Sequence, residues 1–210
     1  MSDESRVPQG NPVDMRHAPA TARNREPMLE VLARVLPPEG RILEIGSGTG
    51  EHAAFFAPRL VPRIWQPSDP DPGLRRSIAA HAAAAGCANL EAPLDLDARE
   101  KSWPVARAAA VVCINVIHIA PWAVAEGLVA GAARTLPREG VLFLYGPFKR
   151  AGRHTAPSNE AFDLRLRSEN PEWGVRDLEE VADLTAEAGF AALEVVEMPA
   201  NNLSLVFQRS

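Results

Sequence analysis

Ile42-Leu43-Glu44-Ile45-Gly46-Ser47-Gly48-Thr49-Gly50-Glu51-His52 is the stretch whose reading decides the fold. The apolar run Arg41–Ile45 has the length of a strand. Three glycines follow at alternate positions, and a helical stretch then runs to Leu60. Strand, tight turn and helix in that order open an alternating α/β chain. Glycines are needed where a backbone that turns sharply off a strand must also let a ligand come close. The helix behind such a turn begins with amides that have no intrahelical partner.

Working outward, the alternation persists. Upstream, Met28, Leu29, Leu32, Val35 and Leu36 recur at helical spacing over Thr21–Leu36, and Pro37-Pro38 ends that helix by withholding amide donors. Downstream, the pattern predicts a strand at Arg63–Gln66 and a helix at Pro72–Ala85 stopped by Gly86. A short third strand follows at Asn89–Ala92, then a fully apolar strand at Ala109–Ile114, a helix at Pro121–Leu136 and a strand at Gly140–Tyr145. Helices are expected at Ser158–Ser168 and at Asp177–Ala188, the latter opened by the capping pair Asp177 and Glu180. Two final strands, Ala191–Glu197 and Leu203–Gln208, are joined so briefly by Pro199-Ala200-Asn201-Asn202 that they must be antiparallel. The expectation is a seven-stranded, mostly parallel sheet with one antiparallel strand and helices on both faces. It forms one domain over 18–210, behind a flexible arm at 1–17.

Within this frame the loop separates two cofactor classes. Dinucleotide sites use glycines in G-x-G-x-x-G/A spacing. Here the sixth position is Glu51, whose carboxylate would repel a pyrophosphate. S-adenosylmethionine (SAM) carries no phosphate, and Glu44 can face its cationic methionine end, so the loop favours SAM over a nicotinamide. Glu44, Gly46, Ser47, Gly48, Gly50, Glu51 and His52 form the expected cradle. Asp69, after the second strand, is positioned to hold ribose hydroxyls, while Asp71 suits the cap of the next helix. Asp95, with Leu96 against the ring, is the expected partner of the adenine amino group, and Asp97 is its alternative. Arg23 and Asn24 are candidates to close over the methionine carboxylate; the alternative is ordinary capping of the first helix by Thr21 or Asn24.

The remaining composition restricts partners. The 210 residues are 46% hydrophobic and 23% charged with a net charge of −5, which argues against a polyanionic partner. No window resembles a secretory signal or a membrane helix. Cys87 and Cys113 have no metal-ligand spacing, and cytoplasm is the expected compartment. No metal site is expected, and oligomeric state is not legible.

Several later segments are similar to one group. Pro19-Ala20-Thr21-Ala22-Arg23-Asn24-Arg25-Glu26-Pro27, ILEIGSGTGEHA, Gln66-Pro67-Ser68-Asp69, Asn115-Val116-Ile117-His118-Ile119-Ala120-Pro121-Trp122, Tyr145-Gly146-Pro147-Phe148, Ser158-Asn159 with Phe162-Asp163, Trp173-Gly174-Val175-Arg176-Asp177 and Pro199-Ala200-Asn201-Asn202 carry the likeness. Together they resemble the SAM-dependent methyltransferase-like family of unknown function that includes human methyltransferase-like protein 26. The resemblance implies a class I methyltransferase fold and SAM binding, with no substrate attached. One departure is Arg25, where the family tends to have lysine.

For catalysis, a methyl acceptor should approach over the carboxyl ends of the first, fourth and fifth strands. Asn115 is the candidate for positioning (and for cofactor contact), and His118 is the candidate base, with a packed histidine as its alternative. Tyr145 faces the same crevice, though a strand-end aromatic is the simpler reading. Lys149–Ser158 reads as a lid over the site or as a solvated connector. Asn159 and Asp163 share a helical face that could turn toward the pocket, and Trp122 and Trp173 read as packing residues. Methyl transfer to a small polar acceptor is the expected activity, and a non-catalytic SAM-binding partner subunit is the alternative.

Overall fold

Alternation of apolar strands with amphipathic helices dictates the layout. In chain order the computed structural model, which describes residues 14–19 and 21–210, contains α1 (Thr21–Val35), β1 (Arg41–Ile45), α2 (Glu51–Phe56), β2 (Ile64–Ser68) and α3 (Pro72–Ala85). Then come β3 (Ala110–Ile114), α4 (Trp122–Thr135), β4 (Val141–Gly146), and a small hairpin of β5 (Lys149–Arg150) and β6 (Arg153–His154). The chain closes with α5 (Pro157–Glu169), α6 (Leu178–Glu187), β7 (Phe190–Met198) and β8 (Asn202–Arg209).

The main sheet has the order β2-β1-β3-β4-β8-β7. The first four strands are parallel, and β8 runs antiparallel to both β4 and β7. Period-two alternation sends Leu43, Ile45, Val111, Cys113, Leu142 and Leu144 to one face, against Leu128, Val129 and Ala132 of α4 and Val181 of α6. Ile42, Ala110, Val112, Val141, Phe143 and Tyr145 pack on the other face with Met28, Val31 and Leu32 of α1 and Phe56 of α2.

The seventh strand is reduced to two parallel bridges on the outer edge of β2, Trp65 with Leu90 and Ser68 with Leu94. Two prolines explain the interruption. Along that edge the Trp65 amide donates to Asn89 O (2.7 Å) and the Asp69 amide to Leu94 O (3.1 Å), while Pro67 between them has no proton to give. On the opposing side Pro93 cannot donate, so Leu94 N reaches Pro67 O (3.0 Å) one residue late. The Gln66 side-chain amide fills the gap by donating to Ala92 O (2.7 Å).

The lid-or-connector segment, 149–158, starts as a tied hairpin. Lys149 N donates to Arg176 O (2.9 Å), Ala151 N to Glu179 Oε2 (3.0 Å) and Gly152 N to Asp177 Oδ2 (2.6 Å). Of the expected arm, residues 1–13 lie outside the described residues. Residues 16–18 are bound to the body: Arg16 N donates to Ser77 Oγ (2.9 Å), and Ala18 N and His17 Nδ1 engage the two oxygens of Glu51. Among the described residues no helix is long and apolar enough to cross a membrane.

Candidate active site

The glycine turn is held from below by two strands. Ser47 N donates to Ser68 O (2.8 Å), Ser47 Oγ donates to Glu44 Oε2 (2.9 Å), and Ser68 Oγ donates to Glu44 O (2.7 Å). The Glu44 carboxylate also accepts from Trp65 Nε1 (3.0 Å) and lies buried on the α1–α2 side of the sheet. Burial pushes its pKa up against these two donors. Glu44 therefore anchors the turn rather than walling the cavity.

The glycines of the turn serve two different needs. At Gly46 and Gly50 the chain is pressed against its neighbours: a Cβ would meet Val116 Cγ2 at 2.5 Å and Ile78 Cα at 2.6 Å respectively. Gly48 has a left-handed φ of +57° and nothing within 4 Å of where a Cβ would stand. Gly48 also lines a cavity of about 330 Å3, in the ~300–1,000 Å3 range of small-molecule sites. Gly48 N donates to Asp69 Oδ2 (3.0 Å), and Asp69 Oδ1 accepts from Asp71 N (2.9 Å). Asp69 is thus fixed on the wall of the cavity, with one further lone pair on each oxygen. Burial raises its pKa, and the amides of Asp71 and Gly48 oppose that shift. Asp71 itself caps α3, accepting from Leu74 N (2.8 Å).

Beyond Asp69 the cavity is apolar, walled by Pro70, Leu74, Leu96, Ala98, Val116 and Val124. Of the two candidate acids for an adenine amino group, the cavity takes Asp97, which is held by Arg99 Nε (3.0 Å). Asp95 turns outward: its side chain is 70% exposed and pairs with Arg75 (2.8 Å). Asp95 thus lies off this cavity, and Asp97, its alternative, lies on the wall. The chain bends into a turn there, with Glu100 N donating to Asp97 O (3.0 Å), and such a bend is not readable from residue types.

Trp173 also lines the cavity, beside Ile119, Ala120 and Pro121. It reaches this wall through tertiary ties that sequence spacing cannot show. Gly174 N donates to His118 O (2.9 Å), and Val175 N to Asp163 Oδ1 (2.7 Å). Arg176 staples the two loops by donating to Ile117 O (2.9 Å) and Ala120 O (2.6 Å), and its guanidinium lies over the Trp122 ring at 5.6 Å. Asp163 in turn gathers Arg167 (3.2 Å), His154 (3.4 Å) and Lys149 (3.6 Å), so these side chains face a carboxylate of the fold. Asn159 donates to Asn201 O (2.9 Å) and fastens the β7–β8 turn.

Several expected contacts turn elsewhere. Glu51 is occupied by Ala18 N (2.6 Å), His17 and Thr49; these donors outweigh burial and lower its pKa. His52 Nε2 bonds Asn24 Oδ1 (2.9 Å), and burial first of all drops its pKa to about 4. Asn24 also bonds the Tyr145 hydroxyl, which accepts from Asn202 Nδ2 (3.0 Å). The result is a buried polar chain from α2 through α1 to β4 and β8, with Tyr145 inside the core. Arg23 is exposed. Asn115 ends β3 with φ +63°, half-buried, its amide donating to Tyr145 O (2.8 Å). His118 is fully buried behind it, not on the cavity wall. Among the described residues no group of three His, Cys, Asp or Glu side chains could hold a metal ion.

A family model described as "Protein of unknown function (DUF938)" matches residues 15–209. The chain belongs to the DUF938 family. The DUF938 protein also shares its fold with solved methyltransferases. Human N-acetylserotonin methyltransferase in complex with SAM superposes with a TM-score of 0.76 at 15% identity, over 91% of this chain and 53% of that one. An O-methyltransferase family 2 protein from Planctomyces limnophilus, in complex with apigenin, gives 0.73 at 21% identity, over 87% and 56%. CalO1, a methyltransferase of calicheamicin biosynthesis with S-adenosylhomocysteine (SAH) bound, gives 0.71 at 16%, over 89% and 54%. The chain thus spans a little over half the length of these structures, and its fold is that of class I SAM methyltransferases.

Proposed function

We propose that this protein binds SAM in the cavity beside Gly48 and transfers its methyl group to a small, polar acceptor. The observation that carries the reading is the Gly48–Asp69 pair: an open, side-chain-free backbone position hydrogen-bonded to a buried carboxylate, both lining the cavity. Asp69 would hold the ribose hydroxyls, Asp97 the adenine amino group, and Leu96, Pro70 and Val116 the flat faces of the ring. The donor set fits a cationic nucleoside better than a phosphate. Asp69 supplies a carboxylate on the cavity wall, where Asp97 stands paired with Arg99, and Glu51 at the start of α2 would repel a phosphate from the helix amides there.

SAM supplies a methyl carbon activated by a sulfonium; an acceptor lone pair bonds to that carbon while the carbon–sulfur pair stays on sulfur. The protein's part is to align and desolvate the partners. Asn115, just past the carboxyl end of β3 and next to the cavity residue Val116, would orient the acceptor. SAM and SAH in the human and calicheamicin enzymes support the cofactor assignment by fold. The resemblance of the later segments supports grouping this chain with human methyltransferase-like protein 26. Free Cys87 and Cys113 are compatible with the cytoplasm.

Calorimetric titration of the whole protein with SAH and with NADH tests the reading. SAH is expected to bind and NADH not, with Asp69→Ala weakening SAH at least tenfold. Binding of NADH alone, or of neither, refutes it. SAH binding without methyl transfer to any acceptor would instead favour a regulatory subunit.

A further inference from the structure

The segment Asp14–Ala18, just ahead of α1, is tied to α2 and α3 chiefly by its main chain. Arg16 N donates to Ser77 Oγ (2.9 Å), and Arg16 O bonds His81 Nε2 (2.9 Å). Ser77 and His81 stand four residues apart on α3, so one helix face takes both polar groups of the Arg16 backbone. Two positions on, Ala18 N donates to Glu51 Oε2 (2.6 Å). Between these ties the His17 ring meets Glu51 Oε1 through Nδ1 (2.9 Å) and stands edge-on to the His81 ring at 5.4 Å.

Both ties continue into the glycine turn. Ser77 Oγ is fully buried; while accepting from Arg16 it donates to Thr49 O (2.7 Å). Glu51 Oε2, while accepting from Ala18, also accepts from Thr49 Oγ1 (3.1 Å). Thr49 and Glu51 flank Gly50, which has a left-handed φ of +89° and no side chain with which to cap α2. Hydrogen bonds in a chain polarise one another, so a hydroxyl that accepts from Arg16 holds Thr49 O more firmly.

We infer that Asp14–Ala18 is a positioning strap for the cofactor loop: its amides at 16 and 18, acting through Ser77 and Glu51, hold Thr49 and Glu51 and with them the turn Gly46–Gly50. The functional consequence rests on the methyltransferase reading. Gly48, the residue proposed to face SAM, immediately precedes Thr49, so release of the strap loosens the backbone that the cofactor meets. Coupling of this kind is reciprocal. By whatever factor the strap raises cofactor affinity, bound cofactor tightens the strap.

Amide hydrogen exchange of the 15N-labelled full chain, followed by nuclear magnetic resonance with and without SAH, tests the inference. Arg16→Pro and Ala18→Pro each remove one strap donor and leave α2 and α3 untouched. Arg16→Ala keeps the donor and should behave as wild type. Without ligand, each proline variant is expected to hasten exchange at the other strap amide. Exchange should also quicken about tenfold at Gly48 and Gly50, whose amides donate to Asp69 Oδ2 and Ser47 O. Unchanged exchange at Gly48 and Gly50 overturns the inference. In wild type SAH should slow exchange at Arg16 and Ala18, a response that a strap contributing stability alone would not give. The proline variants should bind SAH about tenfold more weakly. Equal SAH binding by wild type and both proline variants sinks this inference and leaves the cofactor reading standing. SAH binding to none of them, with Gly48 and Gly50 still released by the prolines, sinks the cofactor reading and leaves the strap's hold on the loop standing.

Discussion

Replacing Gly48 and Gly50 one at a time by alanine should separate the cradle from the scaffold. Both residues have left-handed backbones, φ +57° and +89°, so alanine pays a conformational penalty of about 1–2 kcal/mol at either. The difference lies in what the methyl group meets. At position 50 it stands 2.6 Å from Ile78 Cα, and main chain of α3 cannot swing away as a side-chain tip would. Forced overpacking of that kind adds about 1–3 kcal/mol, so Gly50→Ala should destabilise by about 2–5 kcal/mol in all. At roughly 2–4 °C per kcal/mol for a chain of this length, Tm falls by about 4–20 °C. At position 48 the new methyl meets nothing in the protein, and the loss stops near the conformational penalty. There the methyl occupies the space proposed for SAM, so affinity should drop about 10–100-fold, the equivalent of about 1–3 kcal/mol of overlap. Differential scanning calorimetry gives the first quantity and SAH titration the second. A Gly48→Ala variant that binds SAH as wild type does would refute the cradle. A Gly50→Ala variant that melts with wild type would refute the contact with α3.

Acid should weaken the fold through its buried histidines. His118 and His52 are held by burial at about 3 and about 4, below the value near 6.5 of an unfolded chain. Between those limits the unfolded chain binds protons that the folded one declines, so stability is lost as pH falls below about 6.5. Glu44, raised by burial, works in the opposite sense: its stability is lost as pH rises through its folded value. The urea midpoint is expected to fall from pH 7 to pH 5, with His52→Gln flattening the slope; a flat wild-type profile would contradict this. Asp71→Ala removes a helix cap and should cost about 1 kcal/mol, or about 2–4 °C in Tm. Its SAH affinity should stay within a few-fold, since Asp71 serves Asp69 through its backbone amide.

Local pattern determined much of this molecule. The strand–turn–helix at Arg41–Phe56, the stop at Gly86, the cap at Asp71 and the antiparallel β7–β8 pair all follow from period, backbone freedom and donor loss, which act within a few residues. The glycine turn and the place of Asp69 beside it were legible for the same reason, because each ends or follows a strand. Tertiary structure alone decided which way side chains near those strand ends turn. Asp97 faces the cavity while Asp95 meets Arg75, Glu51 is taken by the segment before α1, and Trp173 is carried to the wall by Arg176 and Asp163. His118 shows the limit most sharply. Its residue type suggests a base, yet one backbone amide 58 positions along the chain engages its Nδ1 and the packed core buries the ring. A proton's place on a ring depends on which atoms stand around it, and only the packed fold brings those atoms together.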